Sequence, residues 1–166
     1  NGDDKADLAV ISPSGGIVVH MKTNTSFSTS SAINITPIQE AHLADVTGNG
    51  NMEIICRRSN GYLTVIRFNN GFYSWTSPCV VFNPPDKMFL ADVNGDGRTD
   101  LIGRGVLPAN EGWIYTSLGN SNGSFGPTNG PWGIWNNSSH SQIISPTSAL
   151  YFADLNGDGR ADYISI

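Results

Sequence analysis

Charge is scarce in this chain: 14% of its residues are charged, against about a quarter in an ordinary soluble domain. That scarcity excludes a coiled coil and a disordered charged tail. No basic cluster marks a nucleic-acid surface. No run of 18 or more apolar residues occurs, so no membrane-spanning segment is expected. No window carries the period of a long amphipathic helix. Cysteine is nearly absent too: Cys56 and Cys79 are the only two, too few for a disulfide scaffold. An even pair leaves two readings open, one disulfide or two buried thiols. Catalytic signatures are also missing, with no G-x-S-x-G, H-E-x-x-H or P-loop pattern. His20, His42 and His140 stand in unrelated contexts. A protein without catalytic activity of its own is expected.

What the chain does have is glycine, in a particular place. Of its 166 residues, 19 are Gly and 9 are Pro, and 39% are hydrophobic. That mix suits one domain of many short strands joined by tight turns. The glycines gather in stretches such as Asp92-Val93-Asn94-Gly95-Asp96-Gly97-Arg98-Thr99-Asp100. Side-chain oxygens stand at positions 1, 3, 5 and 9, and position 7, Arg98, offers a backbone carbonyl. Glycines at positions 4 and 6 allow the sharp turn that brings these groups together. Hard cations need such a set: Ca²⁺ takes about 6–8 oxygen ligands. The opening matches an EF-hand loop, but position 12 is Gly103 rather than glutamate, so Asp100 closes the loop instead.

The stretch recurs. Asp154, Asn156, Asp158, the Arg160 carbonyl and Asp162 repeat every ligand position. Asp45, Thr47, Asn49, the Asn51 carbonyl and Glu53 form a weaker copy with two carboxylates. Asn1, Asp3, the Lys5 carbonyl and Asp7 form a fourth copy that begins at position 3. Together the loops hold 11 of the 14 acidic residues, leaving only Glu40, Asp86 and Glu111 elsewhere. The acidity is therefore directed at a metal, and calcium is the expected cofactor. Such oxygen sites fill at the millimolar calcium found outside cells, so a secreted, extracellular location is expected. N-x-Ser/Thr sequons at Asn24, Asn34, Asn122, Asn136 and Asn137 are candidate glycosylation sites. The chain begins inside a loop and without Met. A longer parent chain, or neighbouring copies meeting both termini, is the expectation.

Position 3 falls at Asn1, Thr47, Asn94 and Asn156, giving intervals of 46, 47 and 62 residues. An apolar run ending Ala-Asp precedes three of the loops, as in His42–Asp45, Met88–Asp92 and Leu150–Asp154. A second run follows each loop, then a Gly-containing turn, a third run and a Phe in a polar turn (Phe27, Phe72, Phe125). Four short strands per repeat is the unit of a β-propeller blade. The expected repeats are approximately 1–38 (a truncated first blade), 39–85, 86–147 and 148–166 (a partial blade). They amount to about three blades plus a fragment of a larger propeller or multi-chain assembly. Repeat three carries a Gly- and Pro-rich insert with Trp132 and Trp135. Exposed aromatics on such loops suit sugar stacking, so these two are candidate ligand contacts.

Ala91–Asp100, Ala153–Asp162 and Asn122-Gly-Ser-Phe-Gly-Pro127 resemble the FG-GAP/VCBS calcium-loop repeats. Such repeats form blades in integrin α-subunit heads and fungal propeller lectins. The resemblance implies an all-β, propeller-type fold with the loop as the hairpin between a blade's first two strands. It implies structural calcium, and a role in binding or adhesion to a glycan or extracellular protein. A head-to-tail extracellular filament or scaffold, and an accessory propeller of a larger secreted hydrolase, are the alternatives. Thr47, Asn49 and Glu53 depart from the family pattern, and Phe-Gly survives only at Phe125-Gly126.

Overall fold

The computed structural model describes residues 3, 5–12, 14–35, 37–68, 72–81, 87–105, 114–126 and 149–166; the side chains of 29–31 and 72–81 are outside that description. Every element is a β-strand among the described residues. In order they are β1 (Leu8–Ile11), β2 (Gly16–Lys22), β3 (Phe27–Asn34), β4 (Ile38–Ala44), β5 (Glu53–Arg58), β6 (Tyr62–Phe68), β7 (Phe72–Val81), β8 (Lys87–Ala91), β9 (Asp100–Arg104), β10 (Ile114–Ser117), β11 (Leu150–Ala153) and β12 (Asp162–Ser165). They form four antiparallel meanders: β1-β2-β3, β4-β5-β6-β7, β8-β9-β10 and β11-β12. Each sheet corresponds to one sequence repeat, and the second shows the complete four-stranded blade.

Alternation along the strands explains how the blades stack. Successive side chains of a strand point to opposite faces. On β5, Ile54 and Cys56 join a cluster with Ile17, Val19 and Ile66 at the first sheet. Ile55 turns the other way, into a cluster with Met88, Leu101 and Phe125 at the third. On β9, Leu101 faces the second sheet while Ile102 packs with Val93, Ile114 and Leu150 toward the fourth. Both strands are covered on two faces, which is why all five residues of β9 and the first five of β5 are buried. Each fully buried Ile, Leu or Phe contributes about 1.5–3 kcal/mol. These clusters between sheets are the core.

Two expectations need correction. Phe27 and Phe72 do not sit in turns: they open β3 and β7, pairing with Lys22 and Phe68 across the hairpins. The turn lies one step earlier, where Thr23 and Ser26 bond each other. Only Phe125 sits in an isolated bridge, opposite Gly119. The disulfide option also falls, because Cys56 is a free, buried thiol. β6 lies between its strand and that of Cys79, so the two backbones are about 9–10 Å apart. A disulfide requires Cα atoms within about 7 Å.

Candidate metal loops

The three loops described throughout share one hydrogen-bond design. The position-1 carboxylate is bent back over the turn and gathers its amides. Asp92 accepts the N–H groups of Gly95 at 2.7 Å, Asp96 at 3.3 Å and Gly97 at 2.8 Å. Asp154 does the same with Gly157, Asp158 and Gly159, and Asp45 with Gly48, Asn49 and Gly50. The glycines at positions 4 and 6 all have φ between 72° and 83°. That left-handed conformation aims consecutive amides inward, and side chains other than glycine resist it. Next, the position-5 side chain accepts the N–H of position 7: Asn49 from Asn51, Asp96 from Arg98, Asp158 from Arg160. Asp3 accepts that of Lys5 in the same way at 3.1 Å, which extends the design to the first loop. Asn1 lies outside the described residues.

Position 9 closes each loop from the strand that follows. Asp100 accepts the N–H of Val93 at 3.0 Å, and Asp162 that of Leu155 at 3.1 Å. Glu53 accepts that of Val46 at 2.9 Å and is fully buried. Its extra methylene does not break the pattern, although the sequence marked it as a departure. Asp100 is fully buried as well, and its second oxygen accepts the N–H of Gly119 at 2.8 Å. Asp7 instead accepts the N–H of Lys22 on β2.

The electrostatics differ between loops. Burial pushes the Asp100 carboxyl above its ordinary range despite the Gly119 and Val93 bonds, and the negative charges of Asp96 and Asp92 add to that push. The amides of Gly159 and Gly157 hold Asp154, at the surface, below the usual carboxylate range. Asp96 is paired with the Arg98 guanidinium and accepts a bond from the Asn94 amide. Among the described residues, no three His, Cys, Asp or Glu side chains converge closely enough to hold a metal as placed. The donor chemistry nonetheless fits a hard cation: all oxygen, up to three carboxylates per loop, each carboxylate with about four acceptor positions. Asp92, Asn94, Asp96, Asp100 and the Arg98 carbonyl are the residues that would hold it, with the matching set at Asp154.

Elsewhere, a cleft of about 340 Å³ opens between the first and second sheets, lined by Lys5, Asp7, Leu43, Asn51, Met52 and Phe68 among others. That volume falls in the range of small-ligand sites, about 300–1,000 Å³. Sequence reasoning gave no sign of this cleft, because its walls come from two repeats. The sequons at Asn24, Asn34 and Asn122 are exposed, whereas Asn136 and Asn137 lie outside the described residues, as do Trp132 and Trp135.

A family model described as an FG-GAP-like repeat matches residues 45–103 and again 92–165. The chain belongs to the FG-GAP-like repeat family. The two matched segments take in the Asp45, Asp92 and Asp154 loops and strands β5 to β12. A comparison with curated proteins finds no match.

Proposed function

We propose that this FG-GAP-like chain is a non-enzymatic, calcium-stabilised module of an extracellular propeller, serving binding or adhesion to a glycan or protein. The recurrence of one carboxylate-over-amide cage in three loops carries the reading. Two carboxylates about 4 Å apart repel by about 4 kcal/mol at an effective dielectric near 20, and a bound dication reverses that sign. Calcium is accordingly a structural element that locks the first hairpin of each blade. Repeats of this family are typical of extracellular proteins, and among the described residues no helix is long and apolar enough to cross a membrane. The melting temperature in millimolar Ca²⁺ should exceed that in EGTA. Asp96→Ala and Asp158→Ala should each shrink the difference more than Asn49→Ala. An unchanged midpoint in the unsubstituted protein would remove the calcium reading. Glycan-array binding lost in Trp132→Ala would place the ligand on the insert of repeat three.

A head-to-tail array is the second reading, and the two outer faces favour it. Leu8 and Val10 of β1, 49% and 47% exposed, hold the places where Ile54 and Cys56 of β5 meet the preceding blade. At the other end, Tyr151 is 54% exposed and pairs with half-buried Ile164. Ile164 holds the place where Ile55 meets the following blade. One outer face is thus of the kind that receives the other. Repeated contact of that sort closes into a ring or grows into a filament, with further blades of a longer chain or other copies as the partners.

A further inference from the structure

The loops are joined to one another, and the join is the same twice. The Asp45 carbonyl accepts the N–H of Thr99 at 2.8 Å, and the Asp92 carbonyl accepts that of Ala161 at 2.7 Å. Each acceptor is position 1 of one loop and each donor is position 8 of the next. Position 7 makes a parallel contact. A Cβ placed on Gly48 would lie 2.8 Å from Cγ of Arg98, and one on Gly95 would lie 3.1 Å from Cγ of Arg160. Gly119 tightens the first join: its carbonyl accepts Nε of Arg98 at 2.8 Å while its N–H is held by Asp100.

We infer that neighbouring loops take up their cations cooperatively, an ordered loop pre-shaping the one that precedes it in the chain, with Arg98 as the positioning residue between the Asp92 and Asp45 loops. The inference rests on the calcium reading above. A cation held by Asp92, Asn94, Asp96 and Asp100 fixes the backbone from 92 to 100, including the N–H of Thr99. That N–H holds Asp45, the first ligand of the loop with only two carboxylates. A loop already ordered loses less conformational freedom when it binds. Linkage makes the coupling reciprocal. The weaker loop depends on it most, because fewer charges of its own draw the cation.

The loop glycines supply separate reporters: Gly48 and Gly50 for the Asp45 loop, Gly95 and Gly97 for the Asp92 loop. Calcium chloride is titrated into the calcium-free 166-residue protein while their amide signals are followed by NMR. In Asp96→Ala, which removes a ligand from the Asp92 loop, the midpoint at Gly48 and Gly50 should rise about five-fold or more. Arg98→Ala leaves every ligand oxygen in place, its own carbonyl included. It should raise the Gly48 and Gly50 midpoint relative to that at Gly95 and Gly97, and Arg98→Lys, which keeps a stem over Gly48, should restore part of the loss. A Gly48 and Gly50 midpoint unchanged or lowered in both alanine variants overturns the coupling and leaves calcium binding standing. If calcium moves no loop glycine in the unsubstituted protein, the calcium reading falls and the coupling with it.

Discussion

Glu53 holds the N–H of Val46 at 2.9 Å from a fully buried position. The same carboxylate accepts the Thr47 hydroxyl at 3.2 Å and stands 3.4 Å from Nε of Arg67. This arrangement needs no metal to matter. Truncation to alanine strands the Val46 amide and removes the counter-charge beside Arg67. Leaving a buried amide unpaired costs about 1–3 kcal/mol. Glu53→Ala should therefore lower stability by about 2 kcal/mol or more in urea unfolding with EGTA present. Asp162→Ala, whose bond to Leu155 is at the surface, should cost less. Equal costs would mean that burial at position 9 is not what matters.

The loops were legible in the sequence because their chemistry is local. Oxygens at fixed offsets, with glycine between them, specify both turn and donors within nine residues. Strand positions were legible for a related reason: β1 (Leu8–Ile11) follows a loop and β6 (Tyr62–Phe68) follows a Gly-containing turn, where the second and third runs of a repeat were expected. What the sequence hid lies beyond the nine-residue loops. Nothing local shows that Gly119 donates to Asp100, or that Arg98 covers Gly48, since these partners are 19 and 50 residues apart. Glu53 misled for the opposite reason. Its type departs from Asp100 and Asp162, yet its longer side chain reaches the same amide. The recurrence of the loops at intervals of 46, 47 and 62 residues was the available signal, because equal loops on stacked blades must meet at equal positions.

At the far end of the second blade, Glu40 of β4 stands opposite Arg57 of β5 in register, with Oε1 2.9 Å from Nε. Partial burial pushes its carboxyl up, but the neighbouring His42, Arg57 and Lys87 outweigh this and leave it below its ordinary value of 4.5. A depressed carboxylate pKa means that the unfolded chain takes up the proton first as pH falls. The stabilisation is complete above pH 4.5 and is lost as pH drops through the lower folded value. Glu40→Gln should therefore flatten the acid limb of a stability-against-pH curve while changing the slope above pH 6 little. An acid limb as steep as before would show that Glu40 is not among the groups that drive it.

Cys56 gives a separate handle on the interface between the first two blades. Burial pushes its thiol to about 11, and the thiolate is the reactive form. The folded protein should react slowly at this residue with iodoacetamide at pH 8. In guanidinium, without any reductant, Cys56 should be alkylated in full. Mass spectrometry of the Cys56 peptide reads both results. A Cys56 peptide that stays unlabelled until reductant is added would mean that the thiol is bridged after all.

The same strand place is open in the first blade and covered in the second. Leu8 and Val10 on β1 match Ile54 and Cys56 on β5, yet the first pair is about half exposed and the second is buried. Ala9 and Ile11, on the other side of β1, already pack against the second blade. In the separate 166-residue chain, Leu8→Ser and Val10→Ser should each change stability by less than about 0.5 kcal/mol, as surface substitutions do. Ile54→Ser should cost at least about 2 kcal/mol, because it opens a packed cluster. A blade or second copy seated on this face would add a further effect. The Leu8→Ser/Val10→Ser double variant should then sediment as monomer at concentrations where the unsubstituted chain associates. Identical sedimentation of the two proteins, with association persisting, would move the contact away from β1.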